Sequence, residues 1–219
     1  MAISGTLTRR TFLAFAAVGA MALSGLAAAA PVADRDYKVL GTAQPTDNPG
    51  KVEITEFFSY ACPHCAELEP LFEAWIKRQP KDVVVRRVPV TFGREQWASL
   101  AKMYFTLDIL GESDRMTLQV FNAIHKEDRN FSDEKAQFDW IASKGIDKKK
   151  YQDVYNSFSM AGKMQRANQM SAAYRVQGVP SVAVDGKFFT DVSMNGSFPA
   201  FFATLDALVA KARAEKGRK

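Results

Sequence analysis

Hydrophobic positions along this chain follow two periods, and the switches between them outline the elements. Val52-Glu53-Ile54-Thr55-Glu56-Phe57-Phe58 and the run from Val83 to Val88 are rich in β-branched and aromatic residues and predict strands. Lys38-Val39-Leu40 predicts a short edge strand. Between the two long strands, Leu68, Leu71, Phe72, Trp75 and Ile76 recur at helical spacing, which predicts a helix from Pro63 to about Gln79. Pro63 suits the first turn, where a missing N–H costs nothing, and Pro70 should kink the interior. Residues 94–174 are helical throughout. Leu100, Met103, Tyr104, Leu107 and Leu110 form one apolar face that ends near Gly111; Met116, Val120, Phe121 and Ile124 form a second. Ser132 reads as an N-cap followed by Asp133 and Glu134, and Gly145 as the matching C-cap. Asp147 opens another helix through Tyr151, Val154, Tyr155 and Phe158, and one more runs from about Ala161 to Tyr174. The β period then returns: Ser181 to Val184 and Lys187 to Thr190 flank Asp185-Gly186, a two-residue hairpin signal. A last helix covers about Pro199 to Ala214.

The only two cysteines stand together in Cys62-Pro63-His64-Cys65, at the junction of the Val52–Phe58 strand and the helix that follows. That placement is a thioredoxin-like redox signature. With it, the order of elements predicts an α/β protein: a thioredoxin-like core from residues 34–93 and 175–214, with a helical domain, 94–174, inserted into it. The length of 219 residues suits one domain carrying an insert.

The first thirty residues read as an address. Thr8-Arg9-Arg10-Thr11-Phe12-Leu13 precedes an uncharged stretch rich in Ala, Leu, Val and Gly, as in a signal peptide over 1–30. The arginine pair followed by Phe-Leu points to twin-arginine export, with Ala14 where that pattern often has Lys; the Sec route is the alternative. Cleavage is expected between Ala27 and Asp34, in preference to retention as a membrane anchor. The compartment expected is a periplasm, where disulfides persist and two cysteines read as a working pair. The formal charge of +5 falls with the leader, leaving 27 basic against 24 acidic residues. Lys148-Lys149-Lys150 and the basic tail fit a solvated surface better than a nucleic-acid partner.

Thiol–disulfide exchange needs a thiolate. Cys62, at a helix N-terminus, gains from unpaired N–H groups and the helix dipole, and His64 adds a charge or a hydrogen bond. Cys65, one turn further in, should be more buried and resolve the mixed disulfide. A small structural disulfide is the plain alternative. A zinc site would need both His64 and His125 and lacks a second ligand pair at finger spacing, so no metal is expected.

With these elements in place, the chain resembles the DsbA family of exported thiol-disulfide oxidoreductases. The likeness covers most of residues 38–212. It rests on Glu56 to Cys65, on Val88-Pro89-Val90-Thr91-Phe92-Gly93, on Ala123-Ile124-His125-Lys126-Glu127, and on Gly178-Val179-Pro180 followed by Val184-Asp185-Gly186-Lys187. The resemblance implies oxidation of reduced, newly exported proteins through the Cys62–Cys65 disulfide, with no other cofactor. It implies re-oxidation by a membrane partner of the DsbB type, which passes electrons to quinone. It also implies a cis Val179-Pro180 bond packed against the cysteines, with the Val179 backbone open to an extended substrate strand; a proline that merely opens a strand is the alternative. Glu56 is a candidate proton relay for Cys65. Arg87, where the family often has Lys, is its candidate partner; an ordinary buried salt bridge, or a solvent-facing Glu on an edge strand, is the alternative. His125 reads as a satisfied helix histidine, and Met160, Met164 and Met170 as core before peptide groove. A monomer is expected. An isomerase or reductase on the same fold is the nearest rival, but too few residues precede Cys62 for the extra domain that dimeric isomerases carry. A peptide-binding, chaperone-like module is the rival of another class, and it would keep its effect without Cys62.

Overall fold

The computed structural model describes residues 1–2 and 30–217. Residues 3–29 of the leader, with the arginine pair, therefore lie outside the described residues. A five-stranded sheet runs in the order β1-β5-β4-β2-β3. Its strands are β1 (Lys38–Val39), β2 (Val52–Phe58), β3 (Val83–Pro89), β4 (Ser181–Val184) and β5 (Phe188–Asp191). β2 pairs parallel with β3 and antiparallel with β4; the other pairs are antiparallel. Helix α1 (Pro63–Lys77) makes the crossover between β2 and β3. Helices α2 (Glu95–Ile109), α3 (Ser113–His125), α4 (Glu134–Ser143), α5 (Lys148–Tyr155) and α6 (Phe158–Ala173) follow before the chain returns to β4. The short α7 (Val192–Asn195) and the long α8 (Phe198–Lys216) close the described chain.

Strand β2 is buried at every position, as expected for a central strand covered on both faces. Its period of two then sorts the core. Val52 and Ile54, with Val182 and Val184 of β4, pack under Leu68, Phe72 and Trp75 of α1 and Phe201, Leu205 and Leu208 of α8. Phe57 and Ala183 face the other way, onto Ala167 of α6 and Tyr174. Trp75 stacks on Phe72 with ring centroids 5.6 Å apart, and its Nε1 donates to Asp206 Oδ1 at 2.7 Å, tying α1 to α8. A third cluster joins Phe58, Tyr60, Cys62 and Cys65 to buried residues of α2, α3, α4 and α5. The redox pair thus sits where the end of the sheet meets the helical block.

Several boundaries differ from the sequence reading. The N-cap of α4 is Asp133 rather than Ser132, because the Asp133 carboxylate accepts from the Lys135 and Ala136 amides. Helix α6 begins at Phe158, three residues early; Ser157 is extended there and turns the chain directly out of α5. Phe158, expected on the apolar face of the helix opened by Asp147, instead starts α6 and points into solvent, so its helical spacing from Val154 and Tyr155 misleads. Helix α8 begins at Phe198 behind a Ser197 cap. Pro70 lies inside α1 without ending it. Val184 pairs with Phe188, so the hairpin connection holds Lys187 as well as Asp185 and Gly186.

Asp185 and Gly186 both take positive φ, +53° and +67°. At Gly186 the demand is also spatial: a Cβ there would lie 2.1 Å from the Gln44 carbonyl oxygen. Gly186→Ala is expected to cost more than about 2 kcal/mol, because backbone rather than a flexible side chain must give way. Chemical denaturation checks this, and unchanged stability would contradict the close approach.

Candidate active site

Cys62 is the N-cap of α1. Its backbone is extended (φ −92°, ψ 117°), Pro63 occupies the first helical position, and the Cys65 and Ala66 amides donate to the Cys62 carbonyl at 3.1 and 3.2 Å. An N-cap side chain is normally an oxygen that accepts from the amides two and three residues on. Here the N-cap side chain ends in sulfur and makes no capping hydrogen bond as a thiol, but the His64 and Cys65 amides lie close enough to favour its thiolate, and no acidic residue occupies the first turn to compete with it. The Cys62 thiol is accordingly held down at about 6. The hydrogen bond from the Cys65 thiol is the main cause, the two amides add to it, and the His64 charge helps least, while burial opposes them. His64 is exposed, with Nδ1 3.1 Å from Glu67 Oε2; that bond raises its pKa and favours the imidazolium. Burial pushes the Cys65 thiol far up, with help from the bond to Cys62. One cysteine is poised to ionise and its neighbour keeps its proton.

Both cysteines are reduced in this structure. The Cys62 thiol donates to the Val179 carbonyl at 3.3 Å, and the Val179–Pro180 peptide bond is cis. Residues far apart in sequence are therefore brought together at one point. Beside them a groove of about 330 Å³ is lined by His64, Val179, Pro180, Ser181, Val192 and Phe198, mostly apolar in surface. A larger hollow, about 680 Å³, lies elsewhere, between β3, α2 and α6, and neither cysteine lines it.

Glu56 and Arg87 face each other in the parallel register of β2 and β3. Arg87 Nε lies 3.0 Å from Glu56 Oε2. Two further carboxylates share this guanidinium: Glu69 Oε1 at 3.0 Å and Glu73 Oε1 at 2.7 Å. Glu69 and Glu73 went unnoticed in the sequence. Their signal is spacing, since they follow Cys65 by four and eight residues and so share its face of α1. Burial raises the Glu56 carboxyl against the pull of Arg87, and raises Glu69 to about 8. Burial opposes the charge of Arg87, yet the three carboxylates together push its pKa still higher. His125 donates to a backbone carbonyl of the redox turn rather than to its own helix, Nε2 to Tyr60 O at 2.8 Å. Met160 is buried, and Met170 packs under the sheet, where its sulfur meets Arg86.

The model of the DSBA-like thioredoxin domain family matches residues 53–202. The chain belongs to that family. The thiol:disulfide interchange protein DsbA of Burkholderia cepacia is 40% identical over 198 residues, covering 90% of this chain and 93% of the relative. DsbA of Pseudomonas aeruginosa is 36% identical over 207 residues, covering 94% of this chain and 98% of the relative. The crystal structure of Pseudomonas aeruginosa DsbA superposes with a TM-score of 0.82 at 36% identity, over 86% of this chain and 97% of that one. Membership of the DSBA-like family settles the fold as thioredoxin-like and the activity as protein thiol:disulfide oxidoreduction, the introduction of disulfide bonds.

An expected outcome follows from the Cys62 environment. In the reduced protein, thiolate absorbance near 240 nm should titrate with a midpoint about pH 6, and alkylation of Cys62 should follow the same curve while Cys65 stays unreactive. A midpoint near 9, the value of an ordinary thiol in the same scale, would remove the N-cap argument.

Proposed function

We propose that this protein is an exported dithiol oxidase whose nucleophile is Cys62 and whose resolving thiol is Cys65. The observation that carries the assignment is the opposite displacement of the two thiols, Cys62 lowered to about 6 and Cys65 raised. In the working direction the pair starts as a disulfide. A substrate thiolate attacks Cys62 Sγ; the new bond joins substrate sulfur to Cys62, and the Cys62–Cys65 bond breaks. Cys65 leaves as a thiolate and takes up a proton. A second substrate thiolate attacks the substrate sulfur of the mixed disulfide and expels Cys62, which leaves easily because its thiolate is stabilised. The substrate has lost two electrons and the protein holds them as a dithiol. Pro63 and His64 keep the helix start open and positive at the leaving sulfur. The groove beside Val179 and Pro180 receives the extended substrate, with the Val179 backbone pairing to it.

Glu56, whose carboxyl is raised by burial and whose charge acts on Cys65, is the relay we assign to that thiol: it gives Cys65 a proton when the disulfide opens and takes it back on re-oxidation. Arg87 keeps its proton at any working pH, so in this relay it holds the carboxylates in place rather than titrating. Return to the disulfide requires an oxidant, which we assign to a DsbB-like membrane quinone oxidoreductase; the chain itself supplies no cofactor beyond its cysteines. The leader over residues 1–30, of twin-arginine type and cut between Ala27 and Asp34, would deliver the protein to the periplasm, where it works on reduced, newly exported proteins as a monomer. None of the described helices is long and apolar enough to cross a membrane.

The test is equilibrium with glutathione buffers, read by thiol alkylation and mass. A potential well above the glutathione poise is expected. A potential near that of thioredoxin would turn the assignment to a reductase.

A further inference from the structure

Tyr60 lies two residues before Cys62 in the turn between β2 and α1, and one face of α3 grips it at both ends. Its hydroxyl is 3.1 Å from Thr117 Oγ1. Thr117 donates to the Ser113 carbonyl at 2.8 Å, so it accepts from Tyr60. The Tyr60 ring meets Phe121 edge-on with centroids 5.1 Å apart. The Tyr60 carbonyl accepts from His125 Nε2 at 2.8 Å, and because a carbonyl only accepts, Nε2 carries the hydrogen. Thr117, Phe121 and His125 recur every four residues and so align along one face of α3. His125 in turn stacks on Phe121, centroids 6.2 Å apart.

We propose that His125 is a positioning residue for the redox centre. Through the Tyr60 carbonyl it fixes the turn that presents Cys62 to the first amides of α1, while Thr117 holds the far end of the same tyrosine. The proposal rests on Cys62 being the nucleophile. The turn is short and has few other restraints: the Cys62 amide donates to the Ser59 carbonyl at 3.0 Å and the Ala61 amide to Ser59 Oγ at 3.2 Å, both internal to it. Among the described hydrogen bonds, His125 supplies the one from another helix to the backbone of this turn. Hydrogen bonds weaken steeply with misalignment, so a small displacement of Cys62 against the His64 and Cys65 amides destabilises the thiolate. The helical block thereby sets the reactivity of a cysteine that belongs to the sheet-and-helix core.

Two substitutions separate positioning from packing. His125→Phe keeps an aromatic ring on Phe121 and loses the donor. His125→Gln loses the ring and keeps an N–H that can reach the carbonyl. In the reduced proteins, His125→Phe is expected to raise the Cys62 titration midpoint by about half a pH unit, roughly a threefold change in ionisation constant. The glutathione equilibrium should move by a similar factor toward a weaker oxidant. His125→Gln should return both readings to the parent's. Should His125→Phe fail to fold, Thr117→Val, which releases the other end of Tyr60, is expected to move the midpoint in the same direction. An unmoved midpoint in a folded His125→Phe protein overturns the proposal, as does an equal rise in both His125 variants, which marks a packing role. A parent without a low-lying thiolate removes the nucleophile assignment and the proposal with it, and the parent's own titration shows which has failed.

Discussion

Cys62→Ser is expected to lose disulfide transfer to reduced proteins down to the rate of the buffer alone, while Cys65→Ser stops at a trapped mixed disulfide. The reasoning is in the sulfur chemistry. A serine hydroxyl at position 62 cannot form the mixed disulfide, so neither the His64 and Cys65 amides nor the groove at Val179 can rescue turnover. Replacing Cys65 leaves an N-capping thiolate at Cys62 that still attacks an exogenous disulfide but has no neighbour to resolve the product. The two variants should therefore differ in kind. Non-reducing gels and mass spectrometry of protein mixed with a disulfide-bearing peptide would show adducts on Cys65→Ser and none on Cys62→Ser. Residual turnover in Cys62→Ser would mean that a binding role, not the thiol, produces the effect on clients. Equal adduct formation by both variants would make Cys65 an attacking thiol, against its burial and its raised pKa.

The readable part of this site was the part carried by contiguous chemistry. Cys62, Pro63, His64 and Cys65 declare themselves within four positions, and the strand before them is a plain β-branched run. The pairing of Glu56 with Arg87 was readable as far as strand order was, because residues in neighbouring parallel strands meet once the register is set. Glu69 and Glu73 were readable in principle from helical spacing, yet charged residues on a helix are usually solvated, and only the packing of α1 on the sheet turns these two inward. The grip on Tyr60 lay beyond sequence reasoning. A threonine, a phenylalanine and a histidine at four-residue spacing describe an ordinary helix face, and nothing in that pattern says that a tyrosine from another element fills it. The helix N-terminus and His64, which the sequence points to, do lower the Cys62 pKa, but the Cys65 thiol, which it does not, does more. Helix starts failed where the cap was ambiguous between Ser132 and Asp133, or where the first residue, Phe158, was apolar but exposed.

Arg87→Met is expected to destabilise the protein by about 3–5 kcal/mol at pH values above the folded Glu69 pKa of about 8, and by less below it, where Glu69 keeps its proton. One guanidinium holds three carboxylates, and two of these, Glu56 and Glu69, are almost wholly buried. Removing the cation leaves those carboxyls, once ionised, desolvated without compensation. The pH dependence follows from Glu69, raised to about 8 from 4.5. A carboxyl whose folded pKa lies above its unfolded value binds its proton more tightly when folded. Its contribution is therefore full below the unfolded pKa and is lost as pH rises through the folded one. In the parent, stability should decline from this group between about pH 4.5 and about pH 8. Without Arg87 both carboxyls hold their protons more firmly still, so the decline steepens and extends upward, and the difference between variant and parent grows with pH. Urea denaturation of the reduced forms at about pH 4.5 and about pH 9.5, below and above the folded Glu69 pKa, measures it. A loss equal at both values would show that Arg87 acts through packing of its aliphatic stem rather than its charge. Glu69→Gln offers the complementary reading: a neutral amide has no proton to lose, so the slope between those values should flatten and the protein should gain stability at the upper end. Were the slope to persist in Glu69→Gln, the proton held by this cluster at neutral pH would reside on Glu56 instead, the carboxyl whose charge acts on the Cys65 thiol.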